Sequence, residues 1–155
     1  MYLIGTDGLC KNNQAQGGQK GTWAFVVMDE SQNILGGKSG HDASTTNNAM
    51  ELTAVLEALK WAHKHNAKIH LLTDSQYVYN TITQWAEGWK KRGWRKADSS
   101  AIANLSVIKE IMELYNPHLH KLEWVRGHQI SSDWKSRLNN AADSRCNEEY
   151  INKFI

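Results

Sequence analysis

The order of hydrophobic patterns constrains this chain more than any other feature of its sequence. Three segments with strand character come first, and turn-rich residues separate them: YLIGTDG (2–8), GTWAFVVMD (21–29) and NILGGKSGHD (33–42). From Asn47 to about His65 the apolar period changes to 3.6, which predicts a helix. Its apolar stripe consists of Leu52, Val55, Leu56, Leu59 and Ala62. Three successive strands of this kind favour an antiparallel meander.

The rest of the chain alternates between helices and strands. IHLLT (69–73) is a short apolar run typical of a sheet covered on both faces, and KLEWVRG (121–127) is a further strand. Helices are predicted from about Ser100 to Tyr115 and over residues 140–154. Another helix follows IHLLT, and one of its faces carries Val78, Ile82, Trp85 and Trp89. This order predicts an α/β fold with a mixed sheet and helices packed on its faces.

Composition sets the outer limits. The 155 residues suit a single domain over 1–155, with 41% hydrophobic and 22% charged residues, as in ordinary globular proteins. No apolar run approaches the ~20 residues that span a bilayer, and MYLIGTDG becomes polar too early for a signal peptide. Cys10 and Cys146 form neither a metal-type pair nor a disulfide framework, so we expect a cytoplasmic protein. We expect no association with a membrane.

Four carboxylates are placed for chemistry on this scaffold. Asp7 and Asp74 follow apolar strands, and active sites of open α/β sheets gather at such carboxyl ends. Glu51 and Asp143 lie in the first turns of their predicted helices. A converging all-carboxylate cluster suits Mg²⁺ or Mn²⁺ rather than zinc. The alternative is that the two aspartates after strands only form turns and that the two helical acids only favour the helix dipole.

Five motifs in order resemble one known family. TDGLC, TTNNAMELTAV, LLTDSQYV, WVRGH and NNAAD have the order and rough spacing of type 1 ribonuclease H, a bacterial enzyme also found as a domain of reverse transcriptases. The resemblance runs from Tyr2 to about Glu149. It implies a ribonuclease H-like fold whose five-stranded sheet joins a three-stranded antiparallel meander to two parallel strands, with helices on both faces. The implied activity is hydrolysis of the RNA strand of RNA–DNA hybrids.

The same resemblance assigns catalytic roles. The family's metal-binding acids match Asp7, Glu51, Asp74 and Asp143. Two Mg²⁺ ions, with Mn²⁺ as a possible substitute, would share Asp7, with Asp143 on the side of the nucleophile and the other two acids on the side of the leaving group, giving 3′-hydroxyl and 5′-phosphate ends. His128 matches a mobile histidine that aids proton transfer or product release. The alternative for His128 is a polar surface residue, since the chain has six other histidines.

Residues for substrate choice are also implied by the resemblance. Asn13, Asn48 and Gln76 match positions along the RNA strand, where amides can pair with the 2′-hydroxyl. Asn47 belongs to the same TNN motif, while Thr46 and Asn104 match a pocket for a DNA phosphate. The alternative is local: Asn47 and Asn48 cap a helix and Asn13 shapes a turn.

The segment QWAEGWKKRGWRK (84–96) gathers five cations against the single acid Glu87, a local net charge of +4 in a chain of formal net charge +2. We call this segment the handle, because it resembles the basic protrusion by which bacterial members hold the DNA strand. Gly88 and Gly93 are expected to break the helix around it. The predicted contacts with substrate are Trp85, Trp89, Lys90, Lys91, Arg92 and Trp94. The alternative is a solvated charged face over core tryptophans, and the helical spacing places Trp85 and Trp89 partly in the core.

The chain departs from the family pattern after Gly127, where residues 128–139 form an unusually long predicted loop and Asn139-Asn140 precedes the last acid. No hybrid-binding module is expected ahead of the first strand. The leading interpretation is a monomeric, sequence-nonspecific ribonuclease whose partner is an RNA–DNA hybrid. Two alternatives stay open: a DNA-processing nuclease of the same fold, of the resolvase or transposase type, and a non-catalytic module that binds hybrids.

Overall fold

The computed structural model describes residues 1–11 and 19–155. Within those ranges it contains one five-stranded sheet of order β3-β2-β1-β4-β5. The first three strands form the predicted antiparallel meander, while the last two run parallel to β1. The strands are β1 Tyr2–Lys11, β2 Gln19–Met28, β3 Ile34–Thr45, β4 Ile69–Thr73 and β5 His120–Trp124. The mixed sheet expected from the sequence is therefore confirmed.

Helices cover both faces of this sheet, as predicted. They are α1 Asn47–Lys64, α2 Gln76–Asn80, α3 Ala86–Lys91, α4 Leu105–Leu114 and α5 Trp134–Phe154, with a π-helical turn over Thr81–Trp85 between α2 and α3. Among the described residues, no helix combines the length and apolar character that crossing a bilayer requires.

Alternation along the central strands divides the core into two parts. Ile4, Val27 and Leu71 face α1, whose predicted stripe from Leu52 to Ala62 is buried. Their neighbours point the other way, because successive side chains in a strand lie on opposite faces. The residues on that second face pack against Leu138 and Ala142 of α5 and are Leu3, Val26, Met28 and Leu72. The unbroken apolar run IHLLT thus reflects a strand that is buried on both sides.

Two helices begin at residues other than those predicted. Helix α4 begins at Leu105 rather than near Ser100, after Asn104 in the left-handed conformation (φ 59°). Helix α5 begins at Trp134 rather than at residue 140, because Asp133 caps it by accepting a hydrogen bond from the Ser136 backbone N–H. The loop before α5 therefore covers only 125–133, and the predicted long loop 128–139 is wrong in its second half.

The predicted apolar face of the helix after β4 is wrong at one position. Val78 and Ile82 are buried and Trp89 packs against the core, but Trp85 is 41% exposed. The π-helical turn Thr81–Trp85 is wider than an α-helical turn, so the buried line passes from Ile82 to Ala86 rather than to Trp85. Trp85 is therefore a surface residue, not a core residue.

Candidate active site

Asp7 lies within β1 rather than at its end, which corrects the sequence prediction. Strand β1 continues to Lys11 and pairs Asp7 with Ala24 of β2. On its other side, however, the parallel pairing with β4 ends at Gly5 and Leu72. Asp7 therefore stands just past the carboxyl end of β4, at the edge of the sheet where the predicted site was expected.

Glu51 reaches Asp7 because α1 packs directly on the backbone of β1. A Cβ atom on Gly8 would lie 2.4 Å from the Glu51 backbone N, so a larger residue would push the helix away. The Gly8 N–H donates a hydrogen bond of 3.1 Å to Glu51 Oε1. This hydrogen bond holds one carboxylate oxygen of Glu51 against Gly8, the residue that follows Asp7.

The other two acids come from different elements. Asp74 directly follows β4, as predicted, and its carbonyl accepts a 3.1 Å hydrogen bond from Trp124 Nε1. Asp143 lies in the middle of α5 rather than in its first turn, because the helix begins at Trp134. The Asn147 side-chain amide donates to the Asp143 carbonyl at 2.9 Å and to its Oδ1 at 3.3 Å.

Asp7, Glu51 and Asp74 each offer a carboxylate oxygen within 4.8 Å of the other two. Burial raises the pKa of Asp7, and the negative charge of Glu51, a hydrogen bond with Asp143 and the charge of Asp74 raise it further. Burial likewise raises the pKa of Glu51, with the charge of Asp74 adding to it. Asp7 thus interacts with all three other acids and forms the centre of the cluster.

The donor set fits a hard divalent cation. Glu51 Oε2 is buried and has no hydrogen-bond partner among the described residues. A buried oxygen without a partner is costly, and a cation that it ligates would remove both this cost and the repulsion between the acids. Carboxylate oxygens alone suit Mg²⁺ or Mn²⁺, since zinc sites draw on histidine and cysteine.

These acids line an open cleft of about 500 Å³ that also contains His128. Burial raises the pKa of Asp74, and the charge of His128 partly offsets this effect, so the two side chains interact. His128 adopts a left-handed backbone conformation (φ 56°). The preceding Gly127 lies so close to Asp74 that a Cβ atom there would be 2.7 Å from Asp74 Oδ2. The loop therefore brings His128 to the acids.

The predicted substrate contacts outside the handle lie mostly at the starts of helices. Asn47 and Asn48 line the cleft beside the acids, and the cap of α1 is Thr46, whose Oγ1 accepts from the Ala49 N–H at 3.1 Å. The suggestion that Asn47 or Asn48 caps this helix is therefore wrong. Gln76 is exposed on the first turn of α2, directly after its cap Ser75. Asn13 lies outside the described residues.

Asn104 lies at the start of α4 without capping it. Its side-chain amide donates a 3.3 Å hydrogen bond to the Tyr77 hydroxyl, and no side-chain capping bond is formed at that helix end. Thr46 and Asn104 thus both occupy the position just before a helix, where unpaired backbone N–H groups favour anions.

The handle comprises the last two residues of the π-helical turn, all of α3 and the segment 92–96 that follows it. Gly88 lies inside this helix, contrary to prediction, whereas Gly93 (φ 70°) follows the helix end at Arg92. The chain then folds back, and the Trp94 N–H donates to the Trp89 carbonyl at 2.7 Å. Both of these tryptophans pack against the core, while Trp85 stands outside between Trp89 and Tyr77, at centroid distances of 6.1 and 6.5 Å. The exposed cations of this segment are Lys90, Lys91, Arg92, Arg95 and Lys96.

Three residues that shape the site were not singled out from the sequence. Gly8 and Gly127 let backbone approach Glu51 and Asp74, and Trp124 holds the Asp74 carbonyl. The two glycines stand next to Asp7 and His128 in the motifs TDG and RGH, so their position was a usable signal. No pattern around Trp124 indicated its hydrogen bond.

The sequence resembles a family of known proteins. The profile of the RNase H family matches residues 1–150. A ribonuclease H from Cupriavidus pinatubonensis is 41% identical over 128 residues, which cover 81% of this chain and 82% of that protein.

Solved structures show the same fold. The RNase H domain of PFV superimposes with a TM-score of 0.84 at 22% identity, covering 97% of this chain and 94% of that domain. The foamy viral protease-reverse transcriptase in complex with an RNA/DNA hybrid gives a TM-score of 0.84 at 17% identity, covering 97% of this chain and 20% of that one.

Proposed function

The chain belongs to the ribonuclease H family, and on that premise we propose that it is a metal-dependent endoribonuclease acting on the RNA strand of RNA–DNA hybrids. The observation that carries the proposal is the cluster of Asp7, Glu51 and Asp74, whose carboxylate oxygens approach one another within 4.8 Å in an open cleft. Cleavage would be independent of base sequence and would leave 3′-hydroxyl and 5′-phosphate ends.

The acids would hold two Mg²⁺ ions, with Mn²⁺ as a substitute. Asp7 is the natural shared ligand because it interacts with all three other acids, and Glu51 has a buried oxygen free for coordination. When bound, the ions would supply an activated water and stabilise the charge on the phosphate and the leaving oxygen. Asp143 would serve the side of the attacking water, and Glu51 and Asp74 the side of the leaving group.

His128 would move a proton at this phosphate or assist product release. Its place in the cleft supports this role, since a general acid or base must reach the reacting atoms directly or through one water. The electrostatic interaction between His128 and Asp74 supports a role beside the leaving group, the side proposed for Asp74.

Substrate choice would depend on groups around the cleft. Asn47 and Asn48 at its wall, together with the nearby exposed Gln76, present amides that can pair with 2′-hydroxyls. We extend this role to Asn13 on the strength of its motif alone. Thr46 and Asn104 would hold a phosphate of the DNA strand at their helix starts.

The handle would bind the DNA strand away from the cut. Lys90, Lys91 and Arg92 are exposed and can reach phosphates, which gives affinity without reading sequence. Trp89 and Trp94 brace the segment from the core, and the exposed ring of Trp85 offers an apolar surface to the same strand.

The proposal is tested by incubating the protein with a hybrid labelled on the RNA strand, beside single-stranded RNA, double-stranded RNA and double-stranded DNA. We expect Mg²⁺-dependent cleavage of the RNA in the hybrid alone, and complete inhibition by EDTA. Binding of the hybrid without cleavage, with Mg²⁺ or Mn²⁺ present, would favour a non-catalytic module. Cleavage of DNA instead would favour a DNA-processing nuclease.

A further inference from the structure

The loop 125–133 carries His128 and connects β5 to α5. Its first residue is attached to the neighbouring strand, since the Val125 N–H donates to the Thr73 carbonyl at 2.9 Å. Its middle touches the site, where Gly127 lies against the Asp74 carboxylate. Farther along, the Asn140 side-chain amide donates to the Gln129 carbonyl at 3.1 Å. The position of this loop therefore decides where His128 stands.

A carboxylate outside the cluster holds the base of this loop. Glu123 is the residue of β5 that pairs with Leu72, and it stands two residues before the loop. Its Oε2 accepts a 2.7 Å hydrogen bond from Lys135 Nζ, and Lys135 is the second residue of α5. Its Oε1 accepts a 2.7 Å hydrogen bond from His70 Nε2 on β4. One side chain thus connects two strands and the first turn of a helix.

The contacts around this carboxylate fix it further. The ring of Trp134 meets His70 edge-on at 5.2 Å between centroids, and Lys135 Nζ lies 5.6 Å from the Trp134 centroid. Burial opposes ionisation of Glu123, but the hydrogen bonds from Lys135 and His70 outweigh it and lower the pKa of this side chain. Glu123 is therefore charged at neutral pH, and its bonds are of the stronger, charge-assisted kind.

We propose that Glu123 is a positioning residue: its ion pair with Lys135 closes the loop 125–133 at its base and keeps His128 in the cleft. The inference rests on the proposed function, in which His128 acts on the substrate. The ion pair joins residues on either side of the loop, so it removes freedom from the loop itself rather than from the acids. Loss of the pair should affect turnover through His128 while leaving hybrid affinity unchanged.

The chain contains a matched control for a merely structural role. Glu149 also connects α5 to the sheet, since it accepts from Ser39 Oγ at 2.8 Å and pairs with His41 Nδ1 at 2.9 Å. It lies near the other end of α5, and its partners are on the opposite edge strand β3. Glu149→Gln thus removes a comparable bridge without touching the loop that carries His128.

The kinetic test compares Glu123→Gln, Lys135→Met and Glu149→Gln over a range of RNA–DNA hybrid concentrations that reaches saturation. We expect kcat to fall about 10-fold in the first two, less than the ~10²-fold that a misplacement of about 1 Å can cause, with KM unchanged. Lys135→Arg keeps the charge and should restore most of the rate. In a His128→Ala background, Glu123→Gln should have no further effect. An unchanged kcat, or an equal fall in both backgrounds, would overturn the inference.

Hydrogen exchange separates this inference from the proposed function. Amides of 125–133 should exchange at least about 5-fold faster in Glu123→Gln than in the wild-type protein, whereas Glu149→Gln should affect only the end of α5. If the wild-type protein cleaved no hybrid, the proposed function would fail, and hydrogen exchange would still test whether the Glu123–Lys135 ion pair holds the loop. Equal exchange of this loop in wild-type and Glu123→Gln proteins would overturn it.

Discussion

The acidic cleft and the basic handle differ in how far their charged side chains are buried and fixed. Asp7 and Glu51 are buried and set by backbone contacts such as that between Gly8 and α1. Lys90, Lys91 and Arg92 are exposed, and within the described part of the chain none of them enters an ion pair. Chemistry requires groups fixed against their mutual repulsion, whereas binding to a regular phosphate backbone requires only cations that can reach it. The two regions should therefore respond differently to mutation.

Asp7→Asn should produce the largest effect. We expect kcat on the hybrid to fall more than about 10³-fold, since the loss of even one fixed group that stabilises a transition state costs about 10²- to 10³-fold. Binding of the uncleaved hybrid should persist through the handle. A discontinuous cleavage assay measures the rate, and fluorescence anisotropy measures the affinity; near-wild-type cleavage would remove Asp7 from the site.

The same variant tests the combined effect of burial and charge repulsion on Asp7. The folded state raises the pKa of Asp7 above its ordinary value of 3.8, so folding favours the protonated acid. That contribution is complete below the ordinary value and is lost as the pH rises through the raised pKa. In EDTA, the Tm of the wild-type protein should therefore fall between about pH 5 and pH 9, and the Asp7→Asn curve should be flatter. Parallel curves would contradict the raised pKa of Asp7.

His128→Ala should slow turnover by about 10²-fold, and by no more than about 10⁴-fold, the range for a proton-transfer group. The acids remain, so the rise in Tm on adding Mg²⁺ should match that of the wild-type protein. His118→Ala is a suitable control, since His118 is exposed and lies at the other end of β5. An unchanged kcat would place His128 outside the mechanism.

Replacing Lys90, Lys91 and Arg92 with alanine should raise KM for the hybrid about 10-fold at low salt and leave kcat nearly unchanged. Contacts remote from the cut stabilise substrate and transition state alike. Each lost phosphate contact should also flatten the dependence of log affinity on log salt by somewhat less than about one unit. A salt series for the triple variant checks this, and a slope equal to that of the wild-type protein would make these cations a solvated face.

Trp85→Ala should have the smallest effect of these substitutions, a minor loss of stability. The ring is 41% exposed, with an edge-on contact to Tyr77 and a tilted contact to Trp89, so we expect a loss of about 1 kcal/mol in the free energy of unfolding. Ile82→Ala, one turn earlier and buried, should cost ~2–5 kcal/mol. Urea unfolding compares the two variants. A larger loss of stability for Trp85→Ala than for Ile82→Ala would contradict the outward position of Trp85 after the π-helical turn.

The sequence was informative where a property is local. Strands and α1 follow from the spacing of apolar residues, and Asp74 stands after β4 because the run IHLLT ends there. Asp7 lies at the predicted edge of the sheet, but not because its own strand ends there. Its strand continues beyond it, and only the pairing with β4 ends nearby.

Errors arose where tertiary contacts override local pattern. Residues 134–139 form the start of α5, where the local cap at Asp133 is reinforced by the packing of Trp134 on His70 and by the bond from Lys135 to Glu123. Trp85 has the spacing of a core residue, but the π-helical turn before α3 rotates it outward. No periodicity can reveal a single widened turn.

Chemistry and binding should be separable in this protein, and single-turnover cleavage at saturating protein tests this separation most directly. Under these conditions affinity no longer limits the rate, so the triple handle variant should cleave the hybrid at the wild-type rate while Asp7→Asn stays more than about 10³-fold slower. Slow cleavage by the handle variant at saturation, or cleavage by Asp7→Asn less than about 10³-fold slower than wild type, would contradict this separation.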